Sequence, residues 1–158
     1  MTTEISKTAC VTTIADAPTH VRRRIGPTEW QQMTQARVNQ FAEVTGDHNF
    51  IHVDPARARQ TPFGGTIAHG YLTLSLLGPI SQQLLVVSDA ATSVNYGLNK
   101  VRFLSAVTAG SRVRVRSELA DAAKVADDTV NLTVRHTVEI EGVDKPAAVA
   151  ELIARFVW

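Results

Sequence analysis

Asp47 and His52 stand five residues apart in the run TGDHNFIHVD, which also holds His48, Asn49 and Phe50. A carboxylate and an imidazole aimed at one point can hold a water molecule and take its proton, which is general acid–base chemistry. The spacing does not by itself bring them together. On a helix, five residues turn two side chains roughly 140° apart, and on a strand they place them on opposite faces. Convergence needs a chain that curls between them, and Gly46, Asn49 and Pro55 are residues suited to such a curl. A plainer reading stands beside this one: Asp47 and Asn49 as caps of the following turn, and His48 and His52 as hydrogen-bonded loop residues. His48 and His52 also have i,i+4 spacing, with His69 as a distant third histidine. The intervening HNFIH lacks the glutamate of the zinc-protease helix motif and no cysteine is near, so no metal is expected.

A second element, TPFGGTIAHGYLTLSL, carries Gly64-Gly65 into an apolar run with His69-Gly70 near its start. The first turn of a helix offers N–H groups without intrahelical partners. A glycine there lets a substrate carbonyl approach the backbone, which makes the Gly70 N–H a candidate oxyanion donor. The alternative is that Gly70 only eases close helix packing.

These residues need elements to hold them. TQARVNQFAEVTG predicts a short helix over 35–45, with Thr34 as N-cap and Gly46 after its end. From Gln60 to Ser88 no Asp, Glu, Lys or Arg occurs. The most apolar part, 67–80, is shorter than the roughly 20 residues a bilayer needs. A buried helix over 67–87, apolar on every face and kinked at Gly78-Pro79, is the expectation. The second half turns to Val, Thr and Ile: VNYGLNKVRF, SRVRVRSEL, TVNLTVRHTVEI and AAVAELIARFVW predict four antiparallel strands. In SRVRVRSE the valines and arginines alternate, so one face is apolar and one charged. Turn material is expected at Ala109-Gly110, from Asp121 to Asp128, and at Glu141-Gly142 with Pro146 beyond. The Trp30 region is a candidate further strand. A long helix against a curved antiparallel sheet is an α+β architecture.

The chain has 158 residues, of which 44% are hydrophobic and 20% charged, with a formal net charge of +1. That balance fits one globular domain and argues against nucleic acid or an anionic membrane surface as the main partner. Residues 1–20 read as an extension and 21–158 as the domain. The first ten residues carry Glu4 and Lys7 without an apolar run, so no secretory signal is expected. A lone cysteine, Cys10, excludes an internal disulfide framework and fits a reducing, cytoplasmic setting.

Taken together, TGDHNFIHVD and, some twenty residues on, FGGTIAHGYLTLSL resemble the hydratase motif of the MaoC-like, (R)-specific enoyl-CoA hydratases and dehydratases. The resemblance extends from about Gly26 to the carboxyl terminus. It implies a hot-dog fold, in which an antiparallel sheet wraps a long central helix. It implies Asp47 and His52 as the catalytic pair that binds the reacting water, Asn49 as a supporting polar residue, and Gly70 as the N–H donor to the thioester carbonyl. The family has Pro after the Asn where this chain has Phe50, so the ring is placed in the substrate-binding set, where it would reshape the acyl pocket or the turn. His48 and His69 match positions less tied to chemistry and are assigned structural roles.

The activity so implied is reversible hydration of a trans-2-enoyl-CoA thioester to a (3R)-3-hydroxyacyl-CoA, without cofactor or metal, in a homodimer whose sheets join edge to edge. A hot-dog thioesterase is disfavoured because such enzymes commonly carry a carboxylate on the central helix, and Thr66 to Ser88 has none. A dehydratase acting on chains borne by acyl-carrier protein, and a non-catalytic acyl-thioester-binding subunit, are the alternatives.

Overall fold

The charge-free stretch and the alternating strands meet face to face. The computed structural model describes residues 9–158, so the first eight residues of the expected extension, Glu4 and Lys7 among them, lie outside the described residues. In chain order the elements are β1 (Cys10–Thr12), a 3-10 turn at Ala17–His20, β2 (Arg24–Ile25), β3 (Gln31–Gln32), α1 (Gln35–Thr45), α2 (Phe50–Val53), α3 (Pro55–Ala58), α4 (Gly70–Ser75), α5 (Leu77–Leu84), β4 (Leu85–Val87), β5 (Thr92–Phe103), β6 (Arg112–Ala126), β7 (Thr129–Ile140) and β8 (Val143–Val157).

The main sheet has six strands, all pairs antiparallel, in the order β2-β6-β7-β8-β5, with β3 also on β6. The chain therefore enters this sheet at one edge, β2, and reaches the opposite edge, β5, only after the helices have crossed between. Leu72, Leu76, Leu77, Ile80 and Leu84 of α4 and α5 are buried. Facing them are Val113, Val115 and Leu119 of β6, Leu132, Val134 and Val138 of β7, and the small residues Ala148, Ala150 and Ala154 of β8. Alanines on β8 leave room for the helix where a larger side chain would not fit. The arginines of SRVRVRSE point outward as the alternation predicts. There Arg114 and Arg116 share Glu139 at 2.6 Å each, and Arg112 pairs with Glu141. Such exposed or half-buried surface pairs add little stability each but fix the outer face of the β6–β7 ladder.

Helix α1 matches its expected span, and the Thr34 side chain accepts from the Arg37 N–H as an N-cap. Trp30 precedes β3, and its ring lies under the Arg114 guanidinium, 4.4 Å from the ring centre. Gly26, with φ of +89°, turns the chain against β6 where a Cβ would lie 3.1 Å from the Val115 carbonyl oxygen. No other residue type suits both the angle and the space.

Three expectations need correction. The helix over 67–87 begins at Gly70, is divided at Leu76, and ends at Leu84, after which 85–87 form β4 in parallel pairing with β1. The division precedes Pro79 because proline has no N–H to give the Ser75 carbonyl, so the helical ladder loses a rung there. Nor is this helix wrapped on every side. Tyr71 is 73% exposed, and a groove of about 420 Å³ runs between the helix and β5 along Leu74, Gly78, Asn95 and Leu98. Finally, Asp121–Ala126 is strand rather than turn, and only Asp127-Asp128 reverse the chain. That end of the β6–β7 hairpin projects past the core, so its residues carry no buried-exposed alternation for a sequence reading to find. Pro146 likewise lies inside β8, opposite an irregularity in the β7 ladder between Val138 and Ile140, where a missing N–H does no harm.

One polar residue sits in the inner face of β7. His136 is fully buried, with Nδ1 2.8 Å from Ser117 Oγ, directly across the ladder, and Nε2 2.9 Å from Ser81 Oγ of α5. This network ties the helix to the sheet with directional bonds where the apolar contacts alone would allow sliding. Burial pushes the imidazole down from its ordinary 6.5 to about 4.

Candidate active site

The curl that Asp47 and His52 require is supplied by two short devices. Gly46 ends α1 in the left-handed region, φ 75°, with its N–H on the Ala42 carbonyl at 2.8 Å. Asn49 then starts α2, its side chain accepting from the Ile51 N–H. One Asp47 carboxylate oxygen accepts from the Asn49 N–H at 3.3 Å. The capping roles read from the sequence are thus present, and they are what bends the chain: Asp47, His52 and His69 each place a side-chain donor or acceptor atom within 4.8 Å of the others.

His52 is buried, and its Nδ1 lies 2.7 Å from the Ile67 carbonyl oxygen. A carbonyl only accepts, so Nδ1 carries the proton and the neutral ring keeps its lone pair on Nε2. Gln35 on the first turn of α1 donates to the His52 carbonyl oxygen at 2.7 Å and accepts from the Thr66 hydroxyl. One side chain therefore ties α1, α2 and the loop before α4 together. His69 is 3% exposed, stacks on His52 with ring centres 3.8 Å apart and planes 28° from parallel, and reaches the Asp47 carbonyl oxygen through Nε2 at 3.0 Å. Its Nδ1 is buried without a partner. In-plane lone pairs on two nearly parallel rings run side by side, so they do not both point at a cation about 2 Å away. A water molecule, with looser angular demands, suits the cluster better.

Gly70 is the first residue of α4, where its N–H has no intrahelical acceptor. A Cβ on it would lie 3.1 to 3.2 Å from the Phe103 ring. Close packing therefore favours glycine here, and its missing side chain keeps the backbone bare at the same time. On this side a cavity of about 330 Å³ opens, lined by Phe63, Ile67, Gly70, Thr73, Phe103 and Val107 among others. The residues on both sides of His69 line it, so the cavity adjoins the cluster.

The structure thus assembles Asp47, Asn49 and His52 in one place and sets Gly70 beside them. Phe50 faces elsewhere: the Arg57 guanidinium covers its ring at 3.8 Å, and it does not line the cavity. His48 lies on the exposed side, 3.8 Å from Glu43. The sequence reading did not single out Gln35 or Phe103 and gave His69 a structural role; the structure places all three around the cluster. The signal for His69 was available, as a titratable residue inside a stretch otherwise free of charge. Gln35 gave none, because a glutamine on a helix is commonplace.

A family model described as MaoC like domain matches residues 16–141. The chain is 49% identical over 144 residues to 3-hydroxyacyl-thioester dehydratase Z of Mycobacterium tuberculosis, covering 91% of this chain and 95% of that protein. It is 42% identical over 142 residues to Nodulation protein N of Rhizobium leguminosarum bv. viciae, covering 89% of this chain and 88% of that one. Among solved structures, the (R)-hydratase from A. caviae involved in PHA biosynthesis superposes with a TM-score of 0.67 at 27% identity, over 85% of this chain and 94% of that chain.

Proposed function

This chain belongs to the MaoC-like dehydratase family and has its hot-dog fold, and from that premise we propose that it hydrates trans-2-enoyl-CoA thioesters reversibly to (3R)-3-hydroxyacyl-CoA. Hydration and dehydration of thioesters is the coarse chemistry that the relatives' names support. The observation that carries the finer reading is the convergence of Asp47 and His52 beside an apolar cavity that starts at Gly70.

Conjugation makes C3 of the enoyl chain electrophilic once the thioester oxygen is hydrogen-bonded. Asp47 and the Nε2 of His52 hold a water and receive its proton as the oxygen bonds to C3. A proton is delivered to C2, completing addition of one water across the double bond. Negative charge gathers on the thioester oxygen meanwhile, and the Gly70 N–H is placed to stabilise it. Asn49, with its oxygen engaged at the α2 cap, keeps its amide N–H groups for the substrate. Phe50 acts on the loop rather than on the acyl chain.

Incubation with crotonyl-CoA should remove the enoyl-thioester absorbance, and the product should be the 3R alcohol. The same chain on acyl-carrier protein, run in parallel, separates the two carriers. No turnover at any of several chain lengths on either carrier would falsify the assignment.

The working unit is read as a cytoplasmic homodimer. Among the described residues β5 pairs only with β8, and Val94, Tyr96, Leu98 and Phe103 on it are 44–55% exposed. An open, apolar edge of this length invites a second strand, and β5 of a second copy closes it symmetrically. Sedimentation should give twice the chain mass, and Leu98→Asp should shift it toward one. A wild-type protein that sediments as a monomer at micromolar concentration rules the dimer out.

A further inference from the structure

The proposed hydration uses Asp47, His52 and Gly70 and leaves His69 without a task. Three observations single out this residue. Its ring is nearly as buried as the aliphatic core, at 3% exposure. Its two neighbours in the cluster are the proposed catalytic residues themselves: it stacks on the His52 ring at 3.8 Å and bonds the Asp47 backbone at 3.0 Å. Its Nδ1 is, among the described residues, the one buried side-chain polar atom with no hydrogen-bond partner. A core chosen for stability alone would place a phenylalanine or leucine there, since an unpaired buried acceptor costs stability.

We propose that His69 is a positioning residue that holds both members of the acid–base pair. The inference rests on the hydratase reading for the meaning of that pair. Because the Asp47 carbonyl can only accept, the His69 proton is on Nε2, and this bond fixes the backbone from which the Asp47 carboxylate projects. The face of the same ring fixes the plane of His52. That plane decides whether the His52 Nδ1–H stays on the Ile67 carbonyl, which in turn keeps the Nε2 lone pair available for the water. Phe41 backs the His69 ring from another side, with centres 5.0 Å apart, so the stack has little room to tilt. One imidazole thus does two jobs at once. A phenylalanine could stack but not donate, and a glutamine could donate but not stack.

Three variants test this. His69→Ala should lower kcat for crotonyl-CoA by about 10- to 100-fold, the range for small misplacements of reacting groups, with KM within about twofold. His69→Phe, which removes the unpaired acceptor and keeps the stack, should match or exceed the wild-type Tm while still losing kcat. His69→Gln, which restores the donor to the Asp47 carbonyl, should recover part of the loss in His69→Ala. The ¹⁵N shifts of the His52 ring give a readout apart from turnover. They should report the Nδ1-protonated tautomer in wild type and His69→Phe, and a mixture in His69→Ala.

Wild-type kcat in His69→Ala or in His69→Phe overturns the proposal, as does a His52 tautomer that is the same in all variants. A wild-type protein with no turnover sinks the hydratase reading by itself. The ring shifts then still decide whether His69 orients His52.

Discussion

Asp47→Asn should lower the hydration rate by about 10²- to 10⁴-fold, the span expected when a general acid–base group is removed, and leave the fold intact. Asn keeps an oxygen that can accept from the Asn49 N–H as Asp47 does now, so the turn between α1 and α2 retains its bond. What it loses is the negative charge and the capacity to take a proton. His52→Gln should cost a similar factor, because the glutamine amide can still donate toward the Ile67 carbonyl but cannot serve as a base. Groups that act on one water act as a unit, so the double variant should be scarcely slower than the worse single one. Crotonyl-CoA turnover with circular dichroism and thermal melts as controls measures all three. Strictly multiplicative losses, or an Asp47→Asn protein within threefold of wild type, would show that the two residues do not share a water.

The second large effect concerns stability in acid. His136 holds its proton only near pH 4 in the fold, against 6.5 for the free side chain, because burial penalises the imidazolium. Between those values the unfolded chain takes up a proton that the native state refuses. The stabilisation is therefore complete above pH 6.5 and is lost progressively as the pH falls to about 4. The loss amounts to roughly 3 kcal/mol, a large part of the 5–15 kcal/mol typical of a domain. His136→Leu should reverse the balance. At pH 7.5 it leaves Ser81 and Ser117 without their partner and should cost about 1–3 kcal/mol. Its stability should then decline less steeply with acid, and the two denaturation curves should approach or cross near pH 4. Taking the difference between the proteins cancels the other carboxylates, such as Glu151 beside Arg135, which titrate alike in both. Parallel pH dependence in the two proteins excludes His136 as the source.

The same residue shows where sequence reading stops. TVNLTVRHTVEI predicts a strand from its alternation, and the strand is found at those residues. The pattern also puts position 136 on the buried face. It does not reveal that two serines, one 55 residues away on α5 and one across the ladder, would make a histidine tolerable there. Helix α1 and its Thr34 cap were legible because helix ends are local devices. An interruption of the long helix was legible in Gly78-Pro79, although it falls at Leu76; the strand at 85–87 was not, since a run of leucines and valines satisfies a buried helix and a buried strand equally.

For the site, residue types and order carried the chemistry. The pairing of TGDHNFIHVD with AHGYLTLSL pointed to the family before any coordinate, and the absence of a carboxylate from Gln60 to Ser88 turned attention to Asp47 and His52. Such signals survive in one dimension because they depend on which functional groups exist and on short turns between neighbours. Tertiary structure alone decided the rest. It set Phe50 under Arg57, away from the cavity, and placed Phe103 against Gly70. It also stacked His69 on His52 across a separation of seventeen residues. Each of these depends on how the helices cross the sheet, and that crossing is fixed by volume and burial summed over many residues, which no local spacing records.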